Sequence, residues 1–213
     1  MRPLVISGPS GVGKSFIVNE LTSLHGFGRV VPYTTRQPRP GEINGQMYNF
    51  VSPSEYSRMN ANLGFFMDNE FFEARYGMPA ESVTGVAELH LRPVSEILVG
   101  LVSQFVSRFP QSERIFIEPQ SFGFLEARMK KRGDNPEQIR SRLGGAEKEV
   151  ATYNNWAHRF YDKKYTVKSD RDARGIIDDI VARGRKEPRV EQRNPQTQKE
   201  GIVQNLPLFN FEV

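Results

Sequence analysis

Residues 8–15 read Gly-Pro-Ser-Gly-Val-Gly-Lys-Ser and follow directly on an apolar stretch, Leu4-Val5-Ile6-Ser7. A glycine loop of this spacing lets the backbone curl so that successive N–H groups point inward at an anion. Beyond it, Ile17, Val18, Leu21 and Leu24 recur at helical spacing, and Gly26 supplies a stop. The loop therefore joins a buried strand to the N-terminus of a helix, whose partial positive charge adds to the anion site. In that context Lys14 reaches the β- and γ-phosphates of a nucleotide, and the Ser15 hydroxyl is a ligand for Mg²⁺. Gly8, Ser10, Gly11, Gly13, Lys14 and Ser15 are the candidate residues for binding the phosphates of ATP. A glycine-rich turn that matched by chance would lack the strand before it and the amphipathic helix after it.

The rest of the chain alternates strand and helix signals, which predicts an α/β fold with a parallel sheet flanked by helices. Val94 to Val99 and Ile115 to Ile117 read as buried strands, although the apolar residues from Val94 through Val106 also fit a helix. Ser52-Pro53-Ser54-Glu55 is a helix start with a capping box. Asn135-Pro136 opens a helix with Ile139, Leu143, Ala146 and Val150 on one face. Tyr165 to Lys168 is a last strand, and Ser169 to Asp172 caps a last helix carrying Ile176, Ile177, Ile180 and Val181. From about Lys186 the periodic pattern gives way to Pro, Gln, Asn and balanced charge, so 186–213 reads as a flexible tail.

Composition narrows the function classes. The 213 residues suit one compact domain, and no apolar run approaches the length of a membrane span. The chain has no cysteine, which removes disulfides, thiolate metal sites and cysteine nucleophiles and fits a cytoplasmic location. Its net charge is +4, and basic residues crowd between Arg128 and Arg142. No aromatic-interleaved basic platform accompanies them, so stable nucleic-acid binding is not expected.

The second informative stretch is Tyr33-Thr34-Thr35-Arg36-Gln37-Pro38-Arg39-Pro40-Gly41-Glu42-Ile43-Asn44-Gly45-Gln46-Met47-Tyr48-Asn49-Phe50. Arg36 and Arg39, on a loop stiffened by prolines, can present two guanidinium forks to one phosphate, with a tyrosine hydroxyl as a further donor. At this point the chain resembles the guanylate kinase family, over about residues 3–185. Phe65-Phe66, Tyr76-Gly77 and a Leu125-Glu126-x-Arg128-(x)₃-Arg132-Gly133 stretch extend the likeness.

The resemblance implies a P-loop NTPase-type sheet within 1–185, with a small β-containing monophosphate-binding insertion at 34–83 and an arginine-bearing lid at 128–146. It implies that Arg36, Arg39, Tyr48 and Tyr76 hold the acceptor phosphate and that Arg128, Arg132 and Arg142 close over ATP. Glu96 matches the first acid of a family strand and joins the acceptor side. The implied reaction is transfer of the ATP γ-phosphate to GMP or dGMP, with Mg²⁺ and with Lys14, Arg36, Arg39 and the three lid arginines as catalytic charges.

Three positions depart from the family pattern. Pro32 stands for a serine, Met67 for a glutamate that reads guanine, and Met78 for a small hydroxyl residue. They leave open a kinase for another or modified base, and a non-catalytic phosphopeptide-binding module is a further alternative. Glu118 is a candidate for holding a metal-bound water, against the simpler reading of a solvated strand end. The tail ends in an apolar cluster, Leu206-Pro207-Leu208-Phe209, which either folds back on the domain, goes unused, or docks on a protein partner. For the last case its spacing loosely resembles peptides that dock on bacterial sliding clamps.

Overall fold

The computed structural model describes residues 1–38, 41–71 and 73–184. Five parallel strands form its main sheet: β1 (Leu4–Ser7), β2 (Phe27–Arg29), β7 (Arg92–Glu96), β8 (Glu113–Pro119) and β9 (Lys163–Val167), in the order β2-β7-β1-β8-β9. Every residue of β1 is buried. Because side chains alternate along a strand, Leu4 and Ile6 enter one apolar cluster and Val5 the other. In β8, Ile115 and Ile117 likewise face away from Phe116. Helices α1 (Lys14–Leu24), α5 (Phe122–Arg132) and α7 (Asp170–Gly184) cover the first face, through Ile17, Val18 and Leu21, Leu125 and Met129, and Ile176, Ile177 and Ile180. Helices α3 (Ala80–Glu88) and α4 (Val102–Arg108) cover the second, through Val83, Val102 and Phe105. The 20-residue α6 (Pro136–Asn155) serves both, with Ile139 and Ala146 in the first cluster and Tyr153 in the second.

A second sheet of four strands, in the order β4-β3-β6-β5, is built from β3 (Tyr33–Thr34), β4 (Asn49–Phe50), β5 (Met67–Phe71) and β6 (Ala74–Met78). It stands within the segment expected to be an insertion, together with α2 (Pro53–Leu63). The capping box of α2 forms as expected: the Glu55 amide donates to Ser52 Oγ (3.2 Å) and the Ser52 amide to Glu55 Oε2 (2.7 Å). A second capping box, between Asn135 and Gln138, starts α6.

Two boundaries differ from the sequence expectation. Strand β7 runs Arg92–Glu96 rather than Val94–Val99, and beyond Leu98 the chain turns helical, so that Val99, Val102 and Phe105 pack at helical spacing. An apolar run of that length fits either structure, and only the partner strands decide. Strand β9 starts at Lys163 rather than Tyr165, its two lysines being tolerated on an exposed sheet edge. The start of β7 also depends on a partner. Arg92 Nη2 donates to Glu113 Oε2 (2.6 Å), Arg92 Nε donates to the Arg2 carbonyl (3.0 Å), and Arg183 of α7 pairs with the same glutamate. This buried ionic cluster closes the sheet at the N-terminal ends of β7 and β8, away from the glycine loop. The proposed tail, 186–213, lies outside the described residues.

Candidate active site

The loop follows the C-terminal end of β1, between β7 and β8, where the strand order reverses; open α/β sheets bind ligands at such a switch point. Gly8, Gly11 and Gly13 all take positive φ (147°, 87° and 109°). At Gly8 the demand is also spatial, since a Cβ there would lie 2.1 Å from the Ile117 carbonyl oxygen. Helix α1 begins at Lys14 with no side-chain cap and no acidic residue in its first turn, so its first N–H groups face no competing carboxylate. Lys14 Nζ donates to the Gly8 carbonyl and to the Pro9 carbonyl (3.1 Å), lying along the loop it serves.

Ser15 Oγ donates to Glu96 Oε2 (3.2 Å), and Glu96 Oε1 accepts from Arg29 Nη1 (3.0 Å). Arg29 in turn donates to Asn19 Oδ1 at 2.8 Å. Glu96 thus sits beside the loop serine, with hydrogen bonds to Ser15 and Arg29 rather than to Arg36, Tyr48 or Tyr76, the residues with which the resemblance grouped it. A hydroxyl and a carboxylate at this spacing are hard oxygen donors. They fit Mg²⁺, which takes few protein ligands and leaves the rest of its shell to phosphate and water. Glu118 is elsewhere: it pairs with Lys164 (3.0 Å) and accepts from Thr166 (3.1 Å) toward the end of β8.

Arg128 of α5 and Arg142 of α6 lie at the loop's rim. A Cβ at Gly13 would lie 3.9 Å from Arg128 Nη2, and Arg142 Nη1 reaches Ser10 Oγ at 3.4 Å. Arg132 is held by both oxygens of Asp134, whose Oδ2 is also 3.5 Å from Arg142 Nε.

Near Lys14, Glu149 of α6 has an Oε2 shut off from solvent and without a hydrogen bond. Burial pushes its carboxyl up to about 7, and the charge of Lys14 pulls the other way. This gives a pH prediction. Well below pH 4.5 the group is neutral both folded and unfolded; between about pH 4.5 and 7 it ionises in the unfolded chain but not in the folded one, so stability falls across that window and levels off above it. Glu149→Gln removes that dependence. It is expected to stabilise by up to about 3 kcal/mol at pH 8 and by far less at pH 5, as read from urea melts; an equal gain at both pH values would refute the assignment.

On the second sheet, Arg36 is locked by Glu42 through two bonds of 2.9 and 3.0 Å, and its guanidinium lies over Tyr48 (5.4 Å) and Phe50 (5.3 Å). Burial alone would lower its pKa, but the Glu42 carboxylate more than offsets this, and the cation is reinforced. Tyr48 and Tyr76 meet edge to face at 5.7 Å. Tyr76 is followed by Gly77, where a Cβ would lie 2.1 Å from the Phe65 ring. The structure therefore brings Arg36, Tyr48 and Tyr76 together; Arg39 lies outside the described residues. Met67 and Met78 are cross-strand partners, 4% and 0% exposed, packed with Ile97, Val99 and Phe105. Asp68 points to the other face, accepting from Tyr56, Asn60 and Arg75.

Arg29, Asp134 and Glu149 were not among the sequence candidates. Arg29 and Glu149 carry no local pattern. Only Asp134 had a signal, lying between the glycine that ends α5 and the asparagine that caps α6.

The family model described as guanylate kinase matches residues 1–164. A guanylate kinase from Nostoc sp. is 39% identical over 149 residues, covering 69% of this chain and 75% of that protein. One from Gloeobacter violaceus is 34% identical over 181 residues, covering 84% and 88%. A crystal structure of guanylate kinase from Anaplasma phagocytophilum superposes with a TM-score of 0.68 at 24% identity, covering 87% of each chain, and supports the fold. With the loop, the arginine-bearing helices and the Arg36–Tyr48–Tyr76 group in place, the chain belongs to the guanylate kinase family, a family of ATP-dependent phosphotransferases.

Proposed function

We propose that the chain transfers the γ-phosphate of ATP to GMP or dGMP, giving the diphosphate, in the cytosol. The observation that carries this is the combination of an intact phosphate loop, Lys14 and Ser15 included, with a second, separately built cation-and-tyrosine cluster around Arg36. A module that only bound phosphopeptides would have no use for the first, and an enzyme that only hydrolysed ATP none for the second.

The acceptor phosphate is already anionic near neutral pH, so no general base is required. Catalysis rests on bringing two like-charged groups into line and neutralising them. Arg36 fixes the acceptor phosphate, its charge reinforced by Glu42 and its plane set by Tyr48 and Phe50; Arg39 belongs to the same loop. Tyr48 and Tyr76 supply neutral donors. Lys14 serves the β- and γ-phosphates, and Arg128, Arg132 and Arg142 neutralise charge that grows during transfer. Ser15 and Glu96 would hold the Mg²⁺ of ATP, which when bound spreads the charge of the β- and γ-phosphates. We assign 34–83 to acceptor binding and 128–146 to the lid, whose closure excludes water that would otherwise hydrolyse ATP. Met67, buried against Met78, presents no acceptor to guanine, so the base must be read by other groups.

The test is turnover of a panel of ribo- and deoxyribonucleoside monophosphates with ATP. GMP or dGMP should give the highest kcat/KM, and a clear preference for another base would overturn the substrate assignment. In the same assay Arg36→Ala should lower kcat/KM for the acceptor by about 10- to 100-fold, the loss of a charge-assisted contact, with ATP affinity nearly unchanged. Equal weakening of both nucleotides would show that Arg36 does not belong to the acceptor side.

A further inference from the structure

Asp134 is held on both sides by its backbone. Gly133, at φ 90°, ends α5, the Asp134 amide donates to the Met129 carbonyl (3.1 Å), and Asn135 immediately caps α6. A residue placed between a helix end and a capping box has little freedom, so its carboxylate points in a direction fixed by the two helices. That carboxylate is mostly buried, with 11% of its side chain exposed, and it faces two guanidinium groups. It takes Arg132 with both oxygens, Nε to Oδ1 at 3.0 Å and Nη2 to Oδ2. Oδ2 also lies 3.5 Å from Arg142 Nε, while Arg142 Nη1 reaches the other way, to Ser10 Oγ of the phosphate loop at 3.4 Å. One edge of Arg142 is anchored and the other is presented to the loop.

We propose that Asp134 is a positioning residue for phosphoryl transfer, a single carboxylate that keeps Arg132 and Arg142 together at the rim of the phosphate loop. The inference rests on the proposed function. Two cations brought side by side repel each other, and a shared anion lowers the cost of holding them there before the triphosphate arrives. The pair retains a net positive charge, which still attracts phosphate. Because Arg132 comes from the end of α5 and Arg142 from α6, Asp134 also fixes the relative placement of groups from two helices. Mispositioning of such groups by an ångström is enough to slow transfer by about 10²-fold.

The test uses the full chain with Asp134→Asn, Asp134→Ser and Asp134→Glu, alone and combined with Arg142→Ala. At saturating ATP and acceptor, Asp134→Asn and Asp134→Ser should lower kcat by about 10- to 100-fold. KM for ATP should stay within about 3-fold, since a charge opposed to phosphate has been removed. Asp134→Glu should recover most of the loss. In the Arg142→Ala background the effect of Asp134→Asn should shrink to the part that acts through Arg132, because one of the two groups it positions is gone.

Three results would overturn the inference alone: wild-type kcat in both Asp134→Asn and Asp134→Ser, the same kcat loss with and without Arg142, or a loss that tracks a fall in melting temperature across the three variants. A wild-type chain that phosphorylates no monophosphate would overturn the proposed function and this inference with it.

Discussion

Lys14→Ala is expected to lower kcat by about 10³-fold or more, the scale of losing a charge aimed at the transferring group. The side chain has no visible structural task beyond its bonds to the Gly8 and Pro9 carbonyls, which lie at the mouth of the loop. Removing it leaves the glycine backbone, the start of α1 and the Ser15–Glu96 contact in place. The variant should therefore fold and melt near the wild type. It should still bind the acceptor monophosphate by calorimetry, and fail in transfer because the β/γ-phosphate charge has lost its direct partner. Relief of the nearby Glu149 adds a marker. Without the Lys14 cation its carboxyl pKa rises further, so the fall of stability with pH should continue to a higher pH than in the wild type. Near-normal turnover in single-turnover experiments would refute the role given to Lys14 and, with it, the catalytic use of the loop.

The second large effect concerns stability. Glu113→Ala is expected to cost about 3–5 kcal/mol, the range for breaking a buried ion pair by deleting one partner. Glu113 is 4% exposed and faces Arg92 from β7 and Arg183 from α7, with Arg92 also bonded to the Arg2 carbonyl and lying 5.0 Å from the Phe27 ring. The alanine variant leaves two cations facing each other where the carboxylate stood. Urea denaturation at pH 7 should show the loss, together with a fall in melting temperature on the order of 10 °C. Replacing the cluster by apolar residues of matched volume is a different experiment, and such exchanges are often neutral. A loss below about 1 kcal/mol for Glu113→Ala would mean that the cluster is well hydrated and contributes little.

The parts of the molecule that were legible in its sequence are those whose physics is local. The loop needs glycines at set positions, α2 needs Ser52 and Glu55 three residues apart, and β1 is an uninterrupted apolar run. Each declares itself within a few residues. What was missed depends on partners far along the chain. Arg92 belongs to β7 because Glu113 neutralises it, so a reading that starts strands at apolar residues begins too late. Glu96 acquires its position from Ser15, 81 residues away. The role of Asp134 requires knowing that α5 and α6 fold against each other, and the raised pKa of Glu149 requires knowing that α6 passes over the loop. Met67 is the reverse case. Its position in the motif pointed to the base, while an unbranched apolar side chain opposite Met78 in a two-stranded register points to the core.

The register of β1 has a consequence for how the molecule is made. Leu4 pairs with Val94 on one side and with Glu113 on the other, so the strand that launches the phosphate loop has no neighbour until β7 is made and lacks its second until the chain has passed residue 113. Gly8 then packs against the Ile117 carbonyl, a contact that cannot form earlier. Closing such long intervals is entropically slow, and parallel strands suffer most. On a ribosome β1 and its glycine-rich turn would wait, as an apolar strand and a loose loop, until β7 and then β8 had followed them. The phosphate loop is encoded well before the strands that complete its setting.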